Sequence, residues 1–396
     1  MKYFLLMLLS LGAMGCNRVS EDITEAEPFG AGPYSVGSTN IEVAPEHADI
    51  GDSVMHEYLL GRARESGQPR FLTDILKYPE SAFIVDVSVP DEHEIYGPAR
   101  GLTLPVVTFL TFPSSERQQK NRYSFPYSDA QYGEFEDMLG QGEAPQFADP
   151  EERYPLIILA HGATAHGIYD VSRAHNLASH GYIVAVLNYG DDRAGSTRQQ
   201  DLHLPYLRPL LTKAVLDALL ADETFGPRID TDNIGISGHS FGGFTALAIA
   251  GGPFQGNTAT VSDQRIKAAS IAAPWVGGHY NGNDFYAFGP GNADLDRIAI
   301  PIISLFGTND EAIPASFILS AMKQLAGPTY VVELVDQPHI FEQGSWEDRD
   351  NWELLFFAAY LKQDPAARAT LRSARSMKGG NQDVQLFDYQ KLAGND

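Results

Sequence analysis

Two kinds of hydrophobic pattern divide the chain. From Tyr154 onward, short runs that are almost wholly apolar alternate with longer stretches of helical character. The short runs are Leu156-Ile-Ile-Leu-Ala160, Tyr182-Ile-Val-Ala-Val-Leu187, the run entering at Ile234, Ala268-Ala-Ser-Ile-Ala-Ala273, Ile300-Pro-Ile-Ile-Ser-Leu-Phe306 and Tyr330-Val-Val-Glu-Leu-Val335. A strand that is apolar throughout is one buried on both faces. Between these runs the pattern predicts helices over about Tyr169 to His180, from about Pro209 to Ala221, after Ser240, and from about Trp346 to Leu361. Strands alternating with helices in this way predict an α/β fold, a mostly parallel sheet covered by helices on both faces.

The first part of the chain reads differently. Gly32-Pro-Tyr-Ser-Val-Gly37 opens the folded part, and Ala82-Phe-Ile-Val-Asp-Val-Ser-Val89 and Leu104-Pro-Val-Val-Thr-Phe-Leu-Thr-Phe112 predict early strands. Residues 113–153 are rich in Ser, Gln, Tyr, Gly and acids without a clean period, and read as a long insertion before the first parallel strand. The expected organisation is a single domain over residues 31–362, with a mixed tail over 363–396 whose Arg and Lys cluster is a solvated face. Residues 17–30, polar and acidic, read as a tether.

That tether follows a targeting segment. Lys2 precedes an apolar run from Tyr3 to Met14, too short to span a bilayer but right for the core of a secretory signal. The run closes on Ala13-Met14-Gly15-Cys16, and Cys16 is the only cysteine of the 396 residues. It resembles a bacterial lipoprotein signal, in which the cysteine becomes the acylated N-terminus. The expectation is an exported protein, lipid-anchored through Cys16 or released to the periplasm or medium. One cysteine excludes a disulfide framework and a Cys-based metal site. The formal net charge of −23 argues against nucleic acid and against an anionic membrane surface as partners, and a solvated acidic surface accounts for it.

The chemistry is concentrated at Gly238-His-Ser240-Phe-Gly242, a G-x-S-x-G turn between a β-branched run and a helix-forming one. A serine on so sharp a turn is strained, and Gly238 and Gly242 keep bulk away from it. Acyl transfer by serine needs a base within hydrogen-bond reach and a carboxylate to orient that base. Both are expected on loops after later strands, acid first. Asp310, in Gly307-Thr-Asn-Asp-Glu-Ala-Ile-Pro314, follows the strand ending at Phe306, with Glu311 as the nearest rival. Of eleven histidines only His339 lies downstream of Asp310. His239 reads as packing beside the turn. The oxyanion donors are expected to be the backbone N–H groups of Phe241 and of Ala163, the latter on the Ala160-His-Gly-Ala163 loop. His161 and His166 as metal ligands lack convincing partners.

The chain resembles the platelet-activating-factor acetylhydrolase group of serine esterases and the bacterial dienelactone-hydrolase-like proteins similar to it. The matching pieces are Gly32-Pro-Tyr-Ser-Val-Gly37, Tyr154-Pro-Leu-Ile-Ile-Leu-Ala-His-Gly162, Leu177-Ala-Ser-His-Gly-Tyr-Ile-Val-Ala185 and Gly238-His-Ser-Phe-Gly-Gly243. The resemblance implies an α/β-hydrolase fold, no cofactor, and release of short acyl groups from small-molecule or lipid esters such as sn-2-acylated phospholipids. Three departures accompany it. The animal enzymes carry their acid where this chain has Ala273; the family's Glu-His-Arg-Asp is replaced by Asn188-Tyr-Gly-Asp-Asp192; and Ser240 stands where true dienelactone hydrolases have cysteine. A polyester hydrolase and a prolyl-oligopeptidase-like peptidase are the rival enzymes, and a catalytically inactive binding module is the rival outside enzymes. Nothing upstream of Tyr154 is long or repetitive enough for the peptidase's propeller.

Overall fold

A computed structural model describes residues 25–39, 82–115, 123–124, 134–135, 139, 143–163, 165, 167–189, 203–380 and 384–389. Ten strands form one sheet. They are β1 (Ser35–Ser38), β2 (Phe83–Ser88), β3 (Thr103–Ser114), β4 (Tyr154–Ala160), β5 (Ile183–Asn188), β6 (Ile229–His239), β7 (Ile266–Ala272), β8 (Ile302–Gly307), β9 (Thr329–Leu334) and β10 (Val384–Tyr389). Their order is β10-β9-β8-β7-β6-β4-β5-β3-β1, with β2 also on β3. The six strands from β4 to β9 pair in parallel. The antiparallel pairs lie at the two ends, β5 with β3 and β3 with β1 and β2 on one side, β9 with β10 on the other.

The pleat explains why the parallel strands have no polar side. In β4, Leu156, Ile158 and Ala160 join one core, while Ile157 and Leu159 join the other. β5 divides in the same way, with Ile183, Ala185 and Leu187 against Val184 and Val186. Successive side chains point to opposite faces, so a strand covered on both must be apolar at every position. The first core is closed by α2 (Leu204–Ala221), α3 (Phe241–Ile249) and α4 (Ala315–Met322). The second is closed by α1 (Val171–Ser179), α5 (Gln343–Tyr360) and α6 (Pro365–Ser373).

Strand order reverses at β4, whose successor β5 lies on one side and β6 on the other. The crevice at such a switch point, outside the carboxyl ends of the strands, is where open α/β sheets place ligands. Here it brings the loop after β4 beside the turn after β6.

Several boundaries differ from expectation. α2 begins at Leu204 rather than at Pro209, because Pro205 occupies the first turn and Pro209 is carried inside the helix. The segment past residue 362 is not a tail: α6 packs on α5, and β10 extends the sheet beyond β9. Arg368, part of its basic cluster, donates to the Ala359 carbonyl at 3.0 Å and lies over Tyr360. Residues 25–30, expected in the tether, are tied to the fold. Glu25 and Ala26 pair in parallel with Ser376 and Met377, and Asn351 accepts the Phe29 N–H at 2.7 Å. Within the 113–153 insertion, Phe147 bridges back to Ser114. The signal segment and Cys16 lie outside the described residues. Among the described residues no helix is long and apolar enough to cross a membrane.

Candidate active site

Ser240 is the single residue between the end of β6 and the start of α3, at φ 56° and ψ −119°. A non-glycine residue in that region is strained, and it persists only where its surroundings over-determine it. They do so here. The Ser240 N–H donates to Ala272 O at 2.8 Å, and the Ser240 carbonyl accepts from Trp275 N–H at 2.9 Å and Phe244 N–H at 3.1 Å. The two flanking glycines have a steric cause beyond the turn itself. A Cβ on Gly238 would lie 2.3 Å from the Gly242 carbonyl carbon, and one on Gly242 would lie 1.9 Å from Ala160 O. Helix α3 therefore starts pressed against the end of β4, which no larger residue permits.

Asp310 and His339 come to Ser240 from the loops after β8 and β9. His339 Nε2 lies 2.9 Å from Ser240 Oγ, and His339 Nδ1 lies 2.8 Å from Asp310 Oδ2. The Asp310 side chain is wholly buried, while 12% of the His339 side chain remains exposed, so the histidine is the member reachable from the crevice. Asp310 Oδ1 accepts the N–H groups of Ala312 at 2.9 Å and Ile313 at 2.7 Å. The Asx turn at this position and the contact to histidine are thus one arrangement, each using one carboxylate oxygen. Glu311 takes a different part: its Oε2 accepts the His339 backbone N–H at 3.2 Å and does not bond the ring.

His239 does more than pack. Its Nε2–H donates to the His339 carbonyl at 2.9 Å, and its ring lies 4.9 Å from that of His339, with Trp346 and Phe341 around it. Burial, reinforced by the His339 charge, pushes the His239 imidazole down to about 3, so it is a neutral donor at ordinary pH.

On the opposite side of Ser240 lies the loop after β4. A Cβ on Gly162 would lie 3.4 Å from Ser240 Cβ, which places this loop directly against the turn. Ala163 follows it. Phe241 opens α3, and the first four N–H groups of a helix have no intrahelical acceptor. Of the two expected oxyanion donors, Phe241 thus follows Ser240 along the chain, and Ala163 follows the glycine that lies against it, one from each side of the switch point. His161 is engaged at both ring nitrogens: Nδ1–H donates to Gly162 O at 2.8 Å, and Nε2 accepts Tyr189 N–H at 3.4 Å. His166 lies outside the described residues, among which no group of three or more His, Cys, Asp or Glu is placed to hold a metal ion.

Two arginines near the site had no role in the sequence reading. Arg208 of α2 is fully buried and donates to the His161 carbonyl at 3.0 Å. Arg173 of α1 forms a bidentate pair with Glu353 of α5, both contacts at 2.7 Å, and also donates to Ser237 Oγ. A lone charge inside an apolar helical stretch is the signal that marks each. Apolar surface frames the crevice: Phe241 stacks on Phe244 at 5.1 Å and lies 5.5 Å from Trp275, whose Nε1–H donates to Tyr280 Oη at 2.8 Å. Ile340, Tyr280 and Tyr169, in the segments that follow β9, β7 and β4, are 61%, 47% and 43% exposed.

Comparison with known proteins agrees with this architecture. A family model described as "Alpha/beta hydrolase family" matches residues 157–387. The platelet-activating factor acetylhydrolase of the dog, Canis lupus familiaris, is 26% identical over 32% of this chain and 36% of its own length. The chain thus matches only about a third of that relative.

Proposed function

The chain is a hydrolase of the alpha/beta hydrolase family, and from that premise we propose that it is a serine esterase cleaving short acyl groups from carboxylic esters. The observation that carries the proposal is the unbroken line Ser240 Oγ, His339 Nε2, His339 Nδ1, Asp310 Oδ2, with links of 2.9 and 2.8 Å, ending on a serine held at φ 56°.

In this reading Ser240 Oγ attacks the ester carbonyl carbon while His339 Nε2 takes the hydroxyl proton. Asp310 holds the Nδ1–H, fixes the tautomer, and stabilises the imidazolium that forms. The carbonyl oxygen becomes an oxyanion and accepts the N–H groups of Phe241 and Ala163. Collapse of the tetrahedral species breaks the C–O bond to the alcohol, which receives the proton from His339. A water molecule then repeats the sequence on the acyl-Ser240 ester, with His339 as base, and releases the carboxylic acid. No step calls for a cofactor or metal.

The exposed apolar side chains around the crevice suit an ester with a hydrophobic alcohol, and the similarity to the dog platelet-activating factor acetylhydrolase suits an acetyl ester. Export, with acylation of Cys16 as the membrane anchor, belongs to the same proposal and rests on the N-terminal sequence. The test is a p-nitrophenyl ester series from acetyl upward together with an alkyl fluorophosphonate and peptide mass mapping. The expected result is turnover highest at short acyl chains and a phosphonyl adduct on Ser240. Absence of turnover with no adduct on Ser240 would refute the reading.

A further inference from the structure

We propose that Arg208 and the His161 ring are positioning residues for the oxyanion hole, acting through the Gly162 carbonyl to aim the Ala163 N–H. This deepens, and rests on, the serine-esterase reading of the same site.

The argument starts from the peptide unit. The Gly162 carbonyl and the Ala163 N–H belong to one planar trans peptide, so they point in opposite directions. Whatever fixes the carbonyl fixes the donor. Three donors meet that carbonyl, two of them side chains: His161 Nδ1–H at 2.8 Å, Arg208 Nη2–H at 3.4 Å, and the Ala165 backbone N–H at 3.4 Å. The neighbouring carbonyl, His161 O, accepts Arg208 Nη1–H at 3.0 Å. Two consecutive carbonyls of the loop accept from Arg208, which leaves the Ala163 N–H directed away from it, and the loop's other side is the one that meets Ser240, whose Cβ would lie 3.4 Å from a Cβ on Gly162.

The clamp is itself held in place. Tyr189 N–H donates to His161 Nε2 at 3.4 Å, and the shorter 2.8 Å contact of Nδ1 to the Gly162 carbonyl calls for the ring proton there, outweighing the 3.4 Å approach of Arg208 Nη2 to the same nitrogen. The Arg208 guanidinium lies 4.1 Å over the Tyr189 ring and 5.5 Å from the Phe241 ring. One buried cation thus touches the loop carrying one oxyanion donor and the side chain of the residue carrying the other. Donors on a carbonyl also polarise its peptide, which strengthens the N–H at the other end. A preorganised donor acts on the charge that develops in the transition state, and hardly at all on the bound ester.

That distinction supplies the test. Arg208→Lys and Arg208→Met are compared with wild type for kcat and KM on p-nitrophenyl butyrate, for the Ki of a trifluoromethyl ketone, and for the melting midpoint. The ketone adds to Ser240 as a hemiketal oxyanion, so its affinity reports the hole directly. Loss of one oxyanion donor lowers kcat by about 10²–10³. The expected result for Arg208→Met is a kcat loss of that order, KM within about threefold of wild type, and a ketone Ki raised in parallel. Arg208→Lys, which keeps a charge and a donor, should recover part of both. The inference is overturned by a kcat within about threefold in Arg208→Met, by a loss confined to KM, or by a kcat loss with unchanged ketone affinity. Should Arg208→Met fail to fold, Arg208→Lys decides by the same kcat and Ki criteria. A wild-type enzyme that neither turns over esters nor forms the Ser240 phosphonyl adduct sinks the esterase reading as well, whereas an active wild type with unaffected variants sinks this inference alone.

Discussion

β6 and the turn that ends it carry two serines three positions apart in opposite circumstances. Ser240, just past the strand, sits at φ 56° with its hydroxyl on a histidine that solvent reaches. Ser237, inside the strand, accepts from Arg173 in a sealed cluster where Arg173 is 5% exposed and Glu353 is 0% exposed. In the cluster every charge meets its opposite: Arg173 bonds both Glu353 oxygens and reaches Asp170 at 2.9 Å. Burial alone would raise the Glu353 carboxyl, but the Arg173 guanidinium outweighs it and holds the carboxyl below its usual range. At Asp310 the acid is satisfied in the same manner, yet the chain of contacts ends on the Ser240 hydroxyl, which among the described residues bonds only His339. One polar group is finished by the protein; the other, in the proposed esterase reading, awaits a substrate.

Substitutions can separate the two. The largest effect is expected for Ser240→Ala, which should lower ester turnover by on the order of 10⁶, roughly 8 kcal/mol of transition-state stabilisation, with an unchanged melting midpoint. A variant that kept a tenth of wild-type turnover would move the nucleophile elsewhere. Next comes Asp310→Asn, expected to cost about 10⁴ in kcat with KM little changed, because the carboxylate acts on the imidazolium. Glu311→Gln touches only the His339 backbone contact and should stay within about tenfold; the reverse ranking would reassign the acid.

The sealed cluster should respond in stability. Glu353→Gln or Arg173→Met leaves a buried charge without its partner, and urea unfolding should show a loss of about 3–5 kcal/mol. The surviving folded fraction should keep its kcat. Because the Glu353 carboxyl is depressed in the fold, its contribution is present above the unfolded carboxylate value and is lost as pH falls through the folded one, a dependence that Glu353→Gln should lack. Equal stability of single variants and wild type would make the pair a bystander.

The smallest effect concerns His239, which borders the triad. Its imidazole is pushed from the ordinary 6.5 to about 3, so between those values the unfolded chain binds a proton that the folded protein refuses. Stability therefore rises with pH across that window, and acidification from pH 7 to 5 should cost about 2 kcal/mol through this group. His239→Asn keeps an N–H donor and does not titrate. A pH–stability profile with the same slope in His239→Asn and wild type would assign the acid sensitivity to other groups.

Much of the site could be read from local pattern. The G-x-S-x-G turn, the order acid then histidine, and the loop after the first buried strand are features a few residues long, and each lies where the strand pattern put it. The differences arose where a local signal had a non-local answer. Pro209 is a good first residue of a helix, but Pro205 lies nearer the true start and α2 carries Pro209 within it. Residues beyond 362 read as a mixed tail because the apolar side of α6 is only Ala367 and Leu371, four positions apart, and packing on α5 is what buries them. His239 read as packing alone, since its hydrogen-bond partner is a backbone carbonyl 100 positions away.

The sequence by itself determined the layered fold, since strands almost wholly apolar can exist only between two covering layers, and it determined the sharp turn at Ser240, since only glycine tolerates the approach of α3 to β4. Tertiary structure alone decided the pairings. That Asp310 Oδ2 rather than Glu311 meets the His339 ring, that Arg173 closes on Glu353 180 positions away, and that Arg208 grips the loop before Ala163 follow from which loops and helices the strand order makes neighbours. A charged side chain records in the sequence that it needs a partner, because burying it without one is costly. Which partner it finds is set by geometry across the sheet.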